Sequence, residues 1–139
     1  MKDIAVILRG MQLFAHNGHN LCSRVVFFQD HEFLGELYST YEGSYDGVIE
    51  RIIGTKGAES IDLIMVQAEA LHLIKDEPTN SPENRIYFEK LLMMEKHLCA
   101  MIEQLIKSEP ISEGTKQMLG NLCDESEVRQ YKMQQRTKK

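Results

Sequence analysis

The stretch from His31 to Ile53 constrains this chain more than any other. Leu34, Leu37, Tyr38, Tyr41, Tyr45, Val48, Ile49 and Ile52 recur every three or four residues, which predicts one long amphipathic helix with a continuous apolar stripe. With only 3 prolines in 139 residues, and much Leu, Ile, Met, Glu and Lys, the whole chain reads as a mostly helical protein of one domain, 1–139.

The same period recurs on either side. Asp3 is placed to cap a first helix carrying Ile4, Ile7, Leu8, Met11, Phe14, Ala15 and Gly18, running to about Cys22. A short connection, Ser23 to Val26, leads into the long helix, and Gly54 is placed to close it in a left-handed conformation. From Ser60 to about Lys75, Ile61, Ile64, Met65, Ala68 and Leu71 predict a short helix. Ser81 as cap and Pro82 at the first helical position open another, whose Leu91, Met94, Leu98, Met101 and Leu105 suit antiparallel packing. The methionines there, Met93 included, read as adaptable core. Pro110 ends that helix and Ser112 caps the last.

Set on this frame are residues of metal-binding type. His19 and His31 stand 12 positions apart, and Asp46 and Glu50, four apart, share one face of the long helix. Imidazole with carboxylate oxygen suits iron, manganese or zinc. The plainer alternative is a solvated acid pair and two structural histidines. His16, one turn before His19, reads as a polar group at a core edge or an extra ligand. Glu69 and His72 form a Glu-x-x-His on the short connecting helix, where the match is incidental because that motif serves long core helices.

Phe27-Phe28-Gln29-Asp30-His31-Glu32-Phe33-Leu34, followed by Tyr45-Asp46-Gly47-Val48-Ile49-Glu50-Arg51-Ile52-Ile53-Gly54, resembles the Dps proteins, or mini-ferritins. The resemblance covers roughly the first 55 residues well and the rest in outline. It implies a ferritin-like four-helix bundle with a short extra helix between helices two and three, and a homododecameric shell. It also implies an intersubunit ferroxidase centre, with His19 and His31 from one subunit and Asp46 and Glu50 from the other. Such a shell oxidises Fe(II) with peroxide or oxygen and stores the ferric product, protecting against oxidative damage. Two positions depart from the family pattern. Gly35 stands where an Asp ligand is usual, and Asn20 where Trp follows the first His, which predicts weaker iron binding or slower turnover.

Charge supplies the alternative. The net charge of −5 disfavours nucleic-acid binding by the whole surface, but Arg129, Lys132, Arg136, Lys138 and Lys139 make 128–139 a basic C-terminal tail. Such a tail could bring DNA to a shell that coats it, with metal chemistry weak or lost; the simpler reading is a solvated helix end favoured by the helix dipole. The resemblance implies that the last bundle helix helps line a pore at a threefold axis, where Glu113, Asp124 and Glu125 would attract cations; the alternative is an exposed helix end. Cys22, Cys99 and Cys123 form no Cys-x-x-Cys, and the N-terminus lacks the pattern of a signal peptide, so a reducing cytoplasm is the expected compartment. No stretch has the apolar length of a membrane span, and no phosphate loop or hydrolase elbow is present.

Overall fold

A computed structural model describes residues 1–77 and 83–138. Among the described residues the regular secondary structure is all α-helical apart from one short 3-10 turn. The helices are α1 (Lys2–Leu21), α2 (Phe27–Lys56), α3 (Leu63–Ile74), α4 (Arg85–Ser108) and α5 (Glu113–Thr137), with the 3-10 turn Ala58–Ser60 between α2 and α3.

Two helical hairpins organise the molecule. A five-residue turn folds α2 back along α1, so that Arg9 near the start of α1 lies 3.8 Å over the ring of Tyr45 far along α2. The linker through Pro110 folds α5 back along α4 in the same way, bringing Ser126 beside Glu95. The helices bury the stripes their periods predict. Ile4, Ile7, Leu8, Met11 and Phe14 of α1 join Leu34, Leu37, Tyr41, Val48 and Ile52 of α2 in one contiguous core. Tyr87, Phe88, Leu91, Leu98 and Ile102 of α4, Leu119 of α5 and Val66 of α3 complete it. Each such side chain contributes about 1.5–3 kcal/mol when fully buried. Close approach is set by Gly18, where an added Cβ would sit 3.1 Å from Tyr87 Cγ and 3.3 Å from Leu34 Cδ1.

Several helix ends differ from expectation. Helix α2 runs through Gly54 to Lys56, and the glycine that ends it is Gly57, whose φ of 88° only glycine adopts without strain. Asp3 lies inside the first turn of α1, where it favours the helix dipole, and Met1 takes the cap position without a side-chain bond. Helix α3 is capped by Asp62, which accepts hydrogen bonds from the backbone N–H groups of Ile64 and Met65. Ser112 caps α5 as expected, accepting from Thr115 N–H at 3.1 Å. The Ser81–Pro82 start falls outside the described residues. Met93 is exposed rather than core, while Met94 and Met101 pack against the core edge.

A polar clasp fixes the hairpin ends to one another. Asn84 Nδ2 donates to Ser23 O at 2.6 Å, and Ser23 N–H donates to Asn84 Oδ1 at 2.9 Å, holding the α1–α2 turn in which Arg24 takes a φ of 75°. Asn84 Nδ2 also donates to Asp30 Oδ2 at 3.0 Å, and Arg136 meets Asp30 through two bonds of 2.9 and 2.8 Å. The Asp30 hydrogen bond, with its charge, holds the Arg136 guanidinium above its ordinary pKa against the opposing effect of burial. One buried carboxylate thus ties α2, α4 and the end of α5 together.

Candidate metal centre at the first helical turn

The antiparallel course of α1 and α2 brings His19 and His31 face to face. Their rings stack with centroids 3.7 Å apart at an interplanar angle of 22°. His19 Nδ1 lies 2.7 Å from the His31 carbonyl, and His31 Nδ1 lies 2.7 Å from the His19 carbonyl. A carbonyl oxygen only accepts, so each Nδ1 must carry the proton and donate. In a neutral imidazole the lone pair is then on Nε2, the atom a metal ion would meet. Neither Nε2 hydrogen-bonds a described residue, and both side chains are half-buried.

Around the pair lies an aromatic wall. His16 stacks on Tyr38 at 4.3 Å, Tyr38 meets the edge of His19 at 5.3 Å, and Phe27 stacks on His31 at 4.9 Å. Gly35 fits this packing in a way the sequence did not disclose. A Cβ there would lie 3.1 Å from His19 Nδ1 and 3.2 Å from its Cε1, so the His19 ring occupies the space that any side chain at position 35 would need.

Asp46 and Glu50 lie elsewhere. Both are exposed on α2, and at 1.5 Å rise per residue they stand roughly 22 and 28 Å along the axis from His31. Neither has an ion-pair partner among the described residues. Among those residues no three His, Cys, Asp or Glu side chains of the single chain gather to hold a metal ion. Next to the acid pair, a cleft of about 620 Å³ between α2 and α5 is lined by Gly43, Gly47, Arg51, Gly114 and Glu125.

The remaining candidates are placed as follows. Glu69 pairs with Lys2 at 2.9 Å and His72 is exposed, so the Glu-x-x-His motif makes no joint site. Glu113 pairs with Lys116 at 3.1 Å, and Asp124 and Glu125 are exposed. The segment 128–139 is not a free tail, because α5 runs through it to Thr137. Arg129 is buried on Glu95 and Arg136 is taken by Asp30, which leaves Lys132 and Lys138 exposed and Lys139 outside the described residues.

Sequence reasoning missed the most elaborate polar group in the molecule. Glu95, fully buried on α4, accepts from Tyr41 at 2.6 Å, from Ser126 at 2.5 Å, and from Arg129 through Nε at 2.5 Å and a second nitrogen at 3.2 Å. Burial first, and then the Glu95 charge and hydrogen bond, lift the Tyr41 hydroxyl well above its ordinary pKa. Arg129 is drawn down by burial, but the Glu95 hydrogen bond and charge more than offset that and raise it. A Glu among apolar residues at a core-facing position was the available signal.

Compared with family models, with curated proteins and with solved structures, the chain matches none. Among the described residues no helix is long and apolar enough to cross a membrane.

Proposed function

We propose that this chain is the subunit of a mini-ferritin of the Dps type, a ferritin-like four-helix assembly that takes Fe(II) as substrate at a centre shared between two subunits. The observation that carries the reading is the reciprocal pair of Nδ1–H to carbonyl bonds, which leaves the two Nε2 lone pairs of His19 and His31 uncommitted. That tautomer ties the two helices through their carbonyls and at the same time leaves on each ring the nitrogen that a metal ion would use. The separation of Asp46 and Glu50 from the histidines along α2 adds to it. If these acids share the iron, they come from a second copy of the chain, as in the resembled family.

In this reading His19 and His31 bind Fe(II) through Nε2, and Asp46 and Glu50 of the second copy balance its charge. Two Fe(II) ions each give one electron to a peroxide, whose O–O bond breaks and whose oxygens leave as water after taking up two protons. The stored product is ferric iron in a shell, the resembled family's being a homododecamer. The alternative, a DNA-coating shell, draws less support, since two of its five basic residues are engaged within the fold.

The test is the rate of Fe(II) oxidation by peroxide and by oxygen on the purified assembly, beside an Asp46→Asn, Glu50→Gln double variant and a His19→Gln variant. A rate well above buffer that collapses in both is expected. Wild-type and variant rates equal to buffer would end the ferroxidase reading. A subsequent salt-dependent DNA retention assay, with Lys132 and Lys138 changed to Gln, would then decide whether DNA is the partner.

A further inference from the structure

Away from the histidines, α4 and α5 bring two cysteines together. Cys99 and Cys123 lie 24 residues apart in sequence, yet the Cys99 thiol reaches the Cys123 carbonyl at 4.0 Å. Both are half-buried thiols. Gln130 Nε2 donates to Cys99 Sγ at 3.5 Å and to Ser126 Oγ at 3.1 Å, which links the pair to the Glu95 cluster. The third cysteine, Cys22, is buried at the far turn and donates to the His19 carbonyl at 3.5 Å.

We propose that Cys99 and Cys123 are a redox pair that hydrogen peroxide converts into an intrachain disulfide, stapling α4 to α5. The inference stands independently of the iron reading. Cys99 is the residue oxidised first, because its sulfur accepts a hydrogen bond from Gln130, whereas burial pushes the Cys123 thiol up. Its sulfur takes one peroxide oxygen, the O–O bond breaks, and the other oxygen leaves as water, giving a sulfenic acid. The Cys123 sulfur then attacks the Cys99 sulfur, the S–O bond breaks, and the hydroxide takes the Cys123 proton and leaves as a second water. Two thiols are oxidised and one peroxide is reduced.

The surroundings set the character of the pair. Burial, then the Cys99 sulfur, then Glu103 and Glu127 push the Cys123 thiol up to about 12. No thiolate therefore stabilises the reduced form at Cys123, which makes the reaction slow and the disulfide, once formed, resistant to reduction. That is the profile of a staple set under sustained oxidant rather than of a fast peroxide sensor. Closing a loop of this length raises the melting temperature by roughly 10 °C for a domain of this size.

The reduced full-length protein, treated with hydrogen peroxide in chelator-containing buffer, is mapped by mass spectrometry without reduction and melted with and without dithiothreitol. Expected are a Cys99–Cys123 linked peptide, monomer mobility on a non-reducing gel, and a rise in melting temperature that dithiothreitol reverses. Cys22→Ser is expected to leave all three unchanged. In Cys123→Ser, Cys99 is expected to proceed to sulfinic acid and the rise in melting temperature to vanish. Separate sulfinic acids on Cys99 and Cys123 in the wild type, a link between two chains, a link to Cys22, or thiols that stay untouched would each overturn the proposal.

Discussion

The stacked histidines at the α1–α2 turn and the Glu95 cluster between α4 and α5 are both polar groups set against one apolar core, and they are satisfied in opposite ways. Around Glu95 every strong acceptor is met: two oxygens take four bonds from Tyr41, Ser126 and Arg129, and no solvent reaches the carboxylate. At the histidines only half the ring is met, since backbone carbonyls hold Nδ1 and no described residue holds Nε2. A closed network spends its chemistry on holding helices in place, whereas a half-closed one keeps a lone pair for something that is not protein.

The sharpest way to break this contrast is to open the closed network. Arg129→Met leaves a buried carboxylate without its cation and is expected to cost about 3–5 kcal/mol in denaturant unfolding. A Glu95→Leu, Arg129→Met double variant should recover much of that loss. If the single variant costs no more than a surface pair would, the network is not the structural lock described. Next in size, Asp30→Ala strands Arg136 and Asn84 and should cost about 2 kcal/mol by the same measurement, while loosening the α1–α2 turn to proteolysis.

The open site is probed by restoring the acid that the resembled family carries. Gly35→Asp drives a side chain into the His19 ring, so Fe(II) binding measured by anaerobic titration should weaken about tenfold instead of improving. Tighter binding would mean that glycine is simply a lost ligand. The smallest effect is expected from Tyr41→Phe, about 1 kcal/mol at neutral pH from one lost hydrogen bond. Its pH dependence carries a definite sign. Tyr41 in the folded state keeps its proton above its ordinary 10.0, the unfolded state does not, and so wild-type stability falls as pH rises beyond that value. Cys123 adds a fall of the same sign between its ordinary 9.0 and about 12. In alkaline melts the phenylalanine variant should therefore lose stability less steeply than wild type, and parallel slopes would argue against the Tyr41 assignment.

Much of the architecture is legible from local pattern. Helical periods mark the first four helices because a stripe at i, i+3 and i+4 can be buried only in a helix, and Pro110 and Ser112 mark the stop of the fourth and the start of the fifth by bonds a few residues long. Gly54 misled for the same local reason: a glycine near a helix end looks like a cap, but whether the chain turns there or three residues later depends on which carbonyl is closed, and Gly57 N–H closes that of Ile53. His19 and His31 were identifiable as candidates from spacing, whereas their tautomer was not, because it follows from two carbonyls on the opposing helix.

Local pattern is therefore enough for the all-helical class, the order of the elements and the residue types available for chemistry. Tertiary structure alone decided how those residues are used. Arg136 reads in sequence as one cation of a basic tail, yet it is bound to a carboxylate 106 residues away; Arg129 is drawn 34 residues back to Glu95, and Cys99 and Cys123 become neighbours only because α5 returns along α4. The physical reason is range. Periodicity and capping act over one or two turns and are written in adjacent residues, while the fate of a charge, a thiol or an imidazole depends on what the opposite helix places within about 3 Å of it.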